Sequence, residues 1–135
     1  MNIPMICIAV LGLLCFVLGL NVSIARTKAK RGSGCPDDPK DPLHKAIRAH
    51  ANTVEYAPAL MVLIYIASQA QMAPWVMWTM VAVTACRVLF VLGILTTRTM
   101  ARPNPMRFIG ALGTYAGGIA LAVEVLFQAM GWRVM

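Results

Sequence analysis

A chain of 135 residues that is 59% hydrophobic and only 13% charged is too apolar to stay dissolved as a water-soluble domain. Its formal net charge of +7 is explained by membrane topology and contact with anionic lipid, so no nucleic-acid partner is read from it. Cys7, Cys15, Cys35 and Cys86 lack CxxC or Cys/His spacing, which excludes a disulfide scaffold and a metal site, and the ten methionines are scattered as apolar packing rather than grouped to bind copper.

Four apolar stretches, each about 20 residues or longer, have the length needed to cross a bilayer as helices. The expected fold is an all-α membrane protein, a single four-transmembrane-helix bundle over residues 1–135. The first span runs from Ile3 to Ala25. No basic segment precedes it, and its charges follow it at Arg26, Lys28, Lys30 and Arg31, so it reads as a retained span rather than a cleaved signal. A polar loop then leads to Asp41 and Pro42, an N-cap acceptor followed by proline at the first helical position. From Pro42 to Ala70 a second helix would be roughly 43 Å long, so its first turns would project beyond the hydrocarbon. The third span covers Trp75–Leu95, with Trp75 and Trp78 at the interface. Asn104 and Pro105 repeat the cap-and-proline start for a fourth helix that reaches Met130.

The first and third connections, with the helix ends that flank them, carry nearly all lysines and arginines, which places both loops in the cytoplasm and the termini opposite, with Arg133 as the lone cation there. In a prokaryote the membrane would be the inner one. Ionisable groups inside spans are costly and need partners. Three such groups stand out: Glu55, Arg87 and Glu124. Arg48, Asn52 and Glu55 recur at i, i+4 and i+7, a cation, an amide and an anion on one stripe, while His50 points away from it. Two readings are open: Glu55 and Arg87 form an ion pair between helices, or the stripe lines a polar pocket for a small zwitterionic or anionic ligand. Glu124 reads as structural, with a partner in another subunit as one option. Gly110, Thr114 and Gly118, and Gly113 with Gly117, give the small-xxx-small spacing of close helix packing, within the chain or between subunits. Arg107, a cation in the first turn of a helix, opposes the dipole unless an anion or lipid phosphate sits beside it.

The run Arg48-Ala-His50-Ala-Asn52-Thr-Val-Glu55-Tyr56-Ala-Pro58 resembles the second-helix signature of the MAPEG proteins, membrane-associated proteins in eicosanoid and glutathione metabolism. The likeness extends over nearly the whole chain through Arg26, Arg87 and the Pro105-Met-Arg107-Phe-Ile-Gly110 start of the fourth helix. It implies a homotrimer with glutathione as cosubstrate in clefts between subunits, no metal, and a lipophilic small molecule arriving from the lipid bilayer. By motif, Arg26, Arg48, His50, Asn52, Glu55 and Arg87 would bind glutathione and Arg107 would activate its thiol. The chemistry agrees: a ligand with two carboxylates and one ammonium suits several arginines and one carboxylate. Cations or a helix N-terminus lower a thiol pKa from its usual value of about 8.5. The thiolate would then attack an electrophile or reduce a lipid hydroperoxide.

Two departures stand out, and they leave a choice of thiol-activating residue. Phe90 and Ile94 occupy helix-three positions where better-known members carry tyrosines, the loop before Arg107 is longer, and Arg102 competes with Arg107 for the thiol. The leading reading is a membrane-bound glutathione transferase or peroxidase. The alternatives are a non-catalytic member that binds lipid or a partner protein, and a small four-helix exporter using Glu55.

Overall fold

The computed structural model describes residues 1–132. These form four helices, α1 (Ile3–Ala29), α2 (Pro42–Ala67), α3 (Pro74–Leu95) and α4 (Pro105–Ala129). Arg133 lies outside the described residues. Proline stands in the first turn of every helix, where its missing N–H removes no intrahelical bond. Side-chain caps complete three of these starts. Asn2 accepts from the Met5 amide, Asp41 from those of Leu43 and His44, and Asn104 from those of Met106 and Arg107. α3 begins at Ala73 without a side-chain cap.

Two boundaries differ from the sequence reading by more than one residue. α1 continues one turn past Ala25 to Ala29, because Arg26 and Lys28 are good helix formers and their charges favour the negative end of the helix dipole. It stops at Lys30, in the left-handed conformation at φ 52°, where the Arg31 amide closes back on the Arg26 carbonyl. α2 ends earlier than Ala70, at Ala67, where the Ser68 hydroxyl and the Gln69 amide group turn onto the Tyr65 carbonyl.

α1, α3 and α4 are long and apolar enough to cross a membrane. α2 falls short of that apolarity, because its first 14 residues carry His44, Lys45, Arg48, His50, Asn52 and Glu55. Four spans were expected; three helices meet the requirement alone, and the fourth is the polar member of the bundle. α2 also contains Pro58, which withholds an amide from the Val54 carbonyl without ending the helix.

α1 packs along α2 and α3 along α4, with α2 and α3 between, and α1 and α4 do not touch. The α3–α4 contact is made by glycine. A Cβ on Gly110 would lie 2.7 Å from the Phe90 nitrogen and 2.8 Å from the Cys86 carbonyl oxygen, and one on Gly117 would lie 2.9 Å from Val83 Cβ. The small-xxx-small spacing therefore serves contact within the chain, which excludes the subunit interface for Gly110, Gly113 and Gly117. Gly118 faces Leu60 on α2.

The core falls into two apolar clusters. One, away from the basic face, gathers Leu11, Leu60, Ile64, Val76, Met80 and Leu121. The other, toward that face, holds Leu18, Ala49, Val91 and Ile94. At the far end Glu124, only 6% exposed, accepts from the Gln128 side-chain amide at 2.9 Å, and the same amide donates to the Ala67 carbonyl at 3.3 Å. This partner lies in its own chain and ties α4 to the end of α2.

Gly110→Ala should destabilise the bundle by about 1–3 kcal/mol, because the added methyl meets backbone that cannot yield. Gly118→Ala, whose Cβ would meet Leu60 Cδ2 at an ordinary 3.5 Å, should leave stability nearly unchanged. Thermal unfolding of the two variants in detergent compares them, and equal midpoints would contradict the assignment of Gly110 to the close α3–α4 contact.

Candidate functional site

Arg87 lies between the two apolar clusters and is 1% exposed. Its Nη2 donates to the Asn52 side-chain oxygen at 2.9 Å and to the Asn52 carbonyl at 3.2 Å, which joins α3 to α2. The guanidinium carbon lies 5.4 Å from the Tyr56 ring centre and 5.1 Å from that of Phe90, both within range of cation–π attraction. Its buried Nε–H has no partner. Glu55 is exposed on α2 and does not pair with Arg87, so the ion-pair reading gives way to an amide and two aromatic faces. The reason is geometric: Asn52 and Tyr56, one turn apart, take the inward positions, and Glu55, one residue earlier than Tyr56, points outward.

The sequence stripe is thus split by depth. Asn52 is half-buried and engaged, while Arg48 and Glu55 are exposed on either side of it, free to meet something outside the chain. His50 turns to α1, where its ring packs on Gly19. Arg26, at the end of α1, donates from Nη1 to the Gly34 carbonyl at 3.0 Å. Arg26, on α1, and His50, which turns from α2 toward α1, therefore belong to the α1 side of the molecule, and Arg107 belongs to α4, which does not meet α1.

Arg107 is half-buried at the start of α4. Its Nη1 donates to the Met100 carbonyl at 3.0 Å and to that of Arg102 at 3.4 Å, so the long connection before α4 holds the guanidinium. The same connection is fixed to the rest of the chain by the Met100 amide on the Pro39 carbonyl and by the Lys45 ammonium on the Thr97 carbonyl. Arg102 is exposed and serves Arg107 through its backbone. Gly93 on α3 makes room for this arrangement, since a Cβ there would lie 2.9 Å from the Arg107 nitrogen. The first amides of α4 are already used: Asn104 takes those of Met106 and Arg107 with its side chain and that of Phe108 with its carbonyl. An anion here would meet the dipole and the guanidinium, not free N–H groups. Beside Arg107 opens a cavity of about 670 Å³ lined by Phe90, Pro103, Asn104, Pro105, Phe108 and Ala111.

Tyr56 and Tyr115 were not singled out as site residues from the sequence. Their rings meet edge to face at 5.6 Å and their hydroxyls lie 3.4 Å apart, joining α2 to α4 next to Arg87. The position of Tyr56, one turn after Asn52, was the available signal for it; nothing comparable marks Tyr115. Of the replaced tyrosines, Phe90 faces both Arg87 and the cavity, whereas Ile94 is buried in the core cluster.

These features describe a small helical membrane protein with arginines and an amide on one polar face and an apolar cavity against it. The model of the MAPEG family matches residues 4–127, nearly the whole chain, and the protein belongs to that family. None of the curated proteins matches it. The family includes glutathione transferases and peroxidases as well as non-catalytic members. No group of three or more His, Cys, Asp or Glu side chains is placed to hold a metal among the described residues, and the four cysteines are free thiols.

Asn52→Ala should cost about 1–3 kcal/mol of stability by leaving buried guanidinium donors without their side-chain acceptor. Combined with Arg87→Leu it should cost less than the two changes separately, because once the guanidinium is gone the amide has lost its partner. Strict additivity in a double-mutant cycle would mean that the bond contributes nothing.

Proposed function

We propose that the protein is a membrane-bound glutathione transferase, with peroxidase action on lipid hydroperoxides open to the same site, and that Arg107 activates the thiol. One observation carries this reading: Phe90 is shared. One face of its environment is the Arg87 guanidinium within the polar cluster of Asn52 and Tyr56, and the other is the apolar cavity that holds Arg107. A polar tripeptide and a lipophilic acceptor can therefore lie side by side, with a cation at their junction.

Arg48 and Glu55 are exposed at the rim and supply opposite charges for a ligand carrying both carboxylates and an ammonium. At the junction the thiol gives up its proton to solvent, and the guanidinium stabilises the thiolate. The sulfur then forms a bond to the electrophilic carbon of the acceptor, whose leaving group departs with the electron pair of the broken bond. Arg26 and His50 lie on the α1 side, and α1 does not reach α4. Both join the site if a neighbouring copy brings its α1 side against α2 and α4, which is the homotrimer we propose. In that assembly α2, the least apolar helix, crosses the membrane sheltered by its neighbours, and the basic loops face the cytoplasm.

A second reading, a non-catalytic member that binds lipid or a partner protein, is favoured by one observation: Phe90, the side chain shared by the Arg87 guanidinium and the cavity, offers a polar ligand no hydroxyl.

Turnover of a generic aryl halide with glutathione by detergent-purified protein, together with calorimetry of glutathione binding, separates the two. Absence of both sinks the transferase. Arg107→Ala should lower turnover about 100-fold, the scale of losing one preorganised charge-stabilising group, without changing oligomeric state. Arg102→Ala should retain activity, since its backbone carbonyl remains. Wild-type activity in Arg107→Ala would remove that residue from the thiol.

A further inference from the structure

We infer that the cleft between the end of α1, the start of α2 and the end of α3 is a docking site for the phosphate headgroup of an anionic phospholipid. The cleft has a volume of about 530 Å³ and contains none of Arg26, Arg48, His50, Asn52, Glu55, Arg87 or Arg107. Its walls are Asn21, Ile24 and Lys28 from α1, Lys45 and Ala46 from α2, and Leu95 from α3.

Its height along the helix fits the boundary of a bilayer. At 1.5 Å per residue, Asn21 stands about 27 Å and Lys28 about 38 Å from Ile3, against a hydrocarbon thickness of about 30 Å. On this scale the walls of the cleft straddle the end of the hydrocarbon, with Ile24, Ala46 and Leu95 offering apolar contact to acyl chains and the two ammonium groups able to reach the phosphates. Lysine suits this position because its stem can lie on apolar surface while its charge reaches the headgroup layer. Lys45 is already positioned, with one N–H on the Thr97 carbonyl at 3.1 Å, and an ammonium has two more to give. Lys28 is exposed at the opposite wall. The acidic residue at the cleft, Asp41, directs a carboxylate oxygen into the α2 cap on the Leu43 and His44 amides. Two cations over an apolar floor match a phosphate attached to acyl chains better than a soluble anion, which would leave the floor uncovered.

The test places the full chain in nanodiscs of phosphatidylcholine doped with phosphatidylglycerol and measures by mass spectrometry the lipid retained on extraction. The wild type should enrich phosphatidylglycerol, and Lys28→Gln with Lys45→Gln should reduce that enrichment about 5-fold per lysine, the effect expected for one cation near an anionic surface. Lys30→Gln with Arg31→Gln, which removes equal charge outside the cleft, should preserve it. Because Lys45 also holds the α3–α4 connection, Lys28→Gln alone is decisive if the double variant does not fold: it must lose about 5-fold. Equal loss in the control pair, no enrichment in the wild type, full retention in Lys28→Gln, or displacement of the lipid by millimolar inorganic phosphate would each overturn the inference, the last by assigning the cleft to a soluble anion.

Discussion

A guanidinium buried in a helical bundle constrains everything packed around it. On insertion scales an arginine at the centre of a membrane helix costs about 2.5–3.5 kcal/mol, more than any single neutral hydrogen bond returns. Arg87 meets this with two oxygens of Asn52 on one side and the rings of Tyr56 and Phe90 on the others. Charge-assisted bonds contribute about 1.5–3 kcal/mol and each cation–π contact about 0.5–2, so the local set is large enough to hold the charge in place without a carboxylate. The consequence is a fixed register between α2 and α3, because Asn52 can supply both oxygens only at one height. It also leaves Glu55 outside the bundle, where its charge is uncommitted.

Much of this architecture is legible in the amino-acid sequence, and the reasons differ by feature. Helix starts are encoded locally, by Asp41-Pro42 and Asn104-Pro105, and both form the expected caps. Helix ends are less so: Arg26 and Lys28 read as a loop by charge, yet extend α1, because at the end of a span the same charge favours both the interface and the helix dipole. The stripe of Arg48, Asn52 and Glu55 is real as a surface, but a stripe does not specify depth. Whether Glu55 or Asn52 meets Arg87 depends on the rotation of α2 about its axis, which is set by contacts from Ala49, Thr53, Ala57 and Leu60 along its buried side. The glycines of α4 show the same limit. Their spacing announces close packing without naming the partner, and the partner is α3.

The separation of α1 from α4 bears on how the candidate site is assembled. A bundle in which α2 and α3 stand between α1 and α4 divides its cations between two flanks: Arg26 with His50 on one, Arg107 on the other. On the proposed reading a single chain holds two incomplete halves, and the repeat of the same chain around an axis completes each of them. Exposed apolar side chains on α1 and α4, among them Phe16, Leu20, Leu112 and Ile119, are the surfaces available for that contact and for lipid.

The way Arg107 is held narrows the chemistry it can perform. A helix start with free amides would offer an anion directional hydrogen bonds, but Asn104 consumes those of α4. What remains is a guanidinium whose Nη1 is fixed by two carbonyls of the preceding connection, on an arginine that lines the cavity with Phe90 and Phe108. On the proposed reading, fixing one edge of a planar cation reduces the reorganisation needed when charge develops on a neighbouring sulfur, and apolar walls strengthen the interaction by excluding water. On that reading the connection before α4 is part of the site, because its carbonyls hold Arg107 in place. The bonds from Pro39 and Lys45 that anchor the connection carry that positioning back to α2, the helix that presents Asn52.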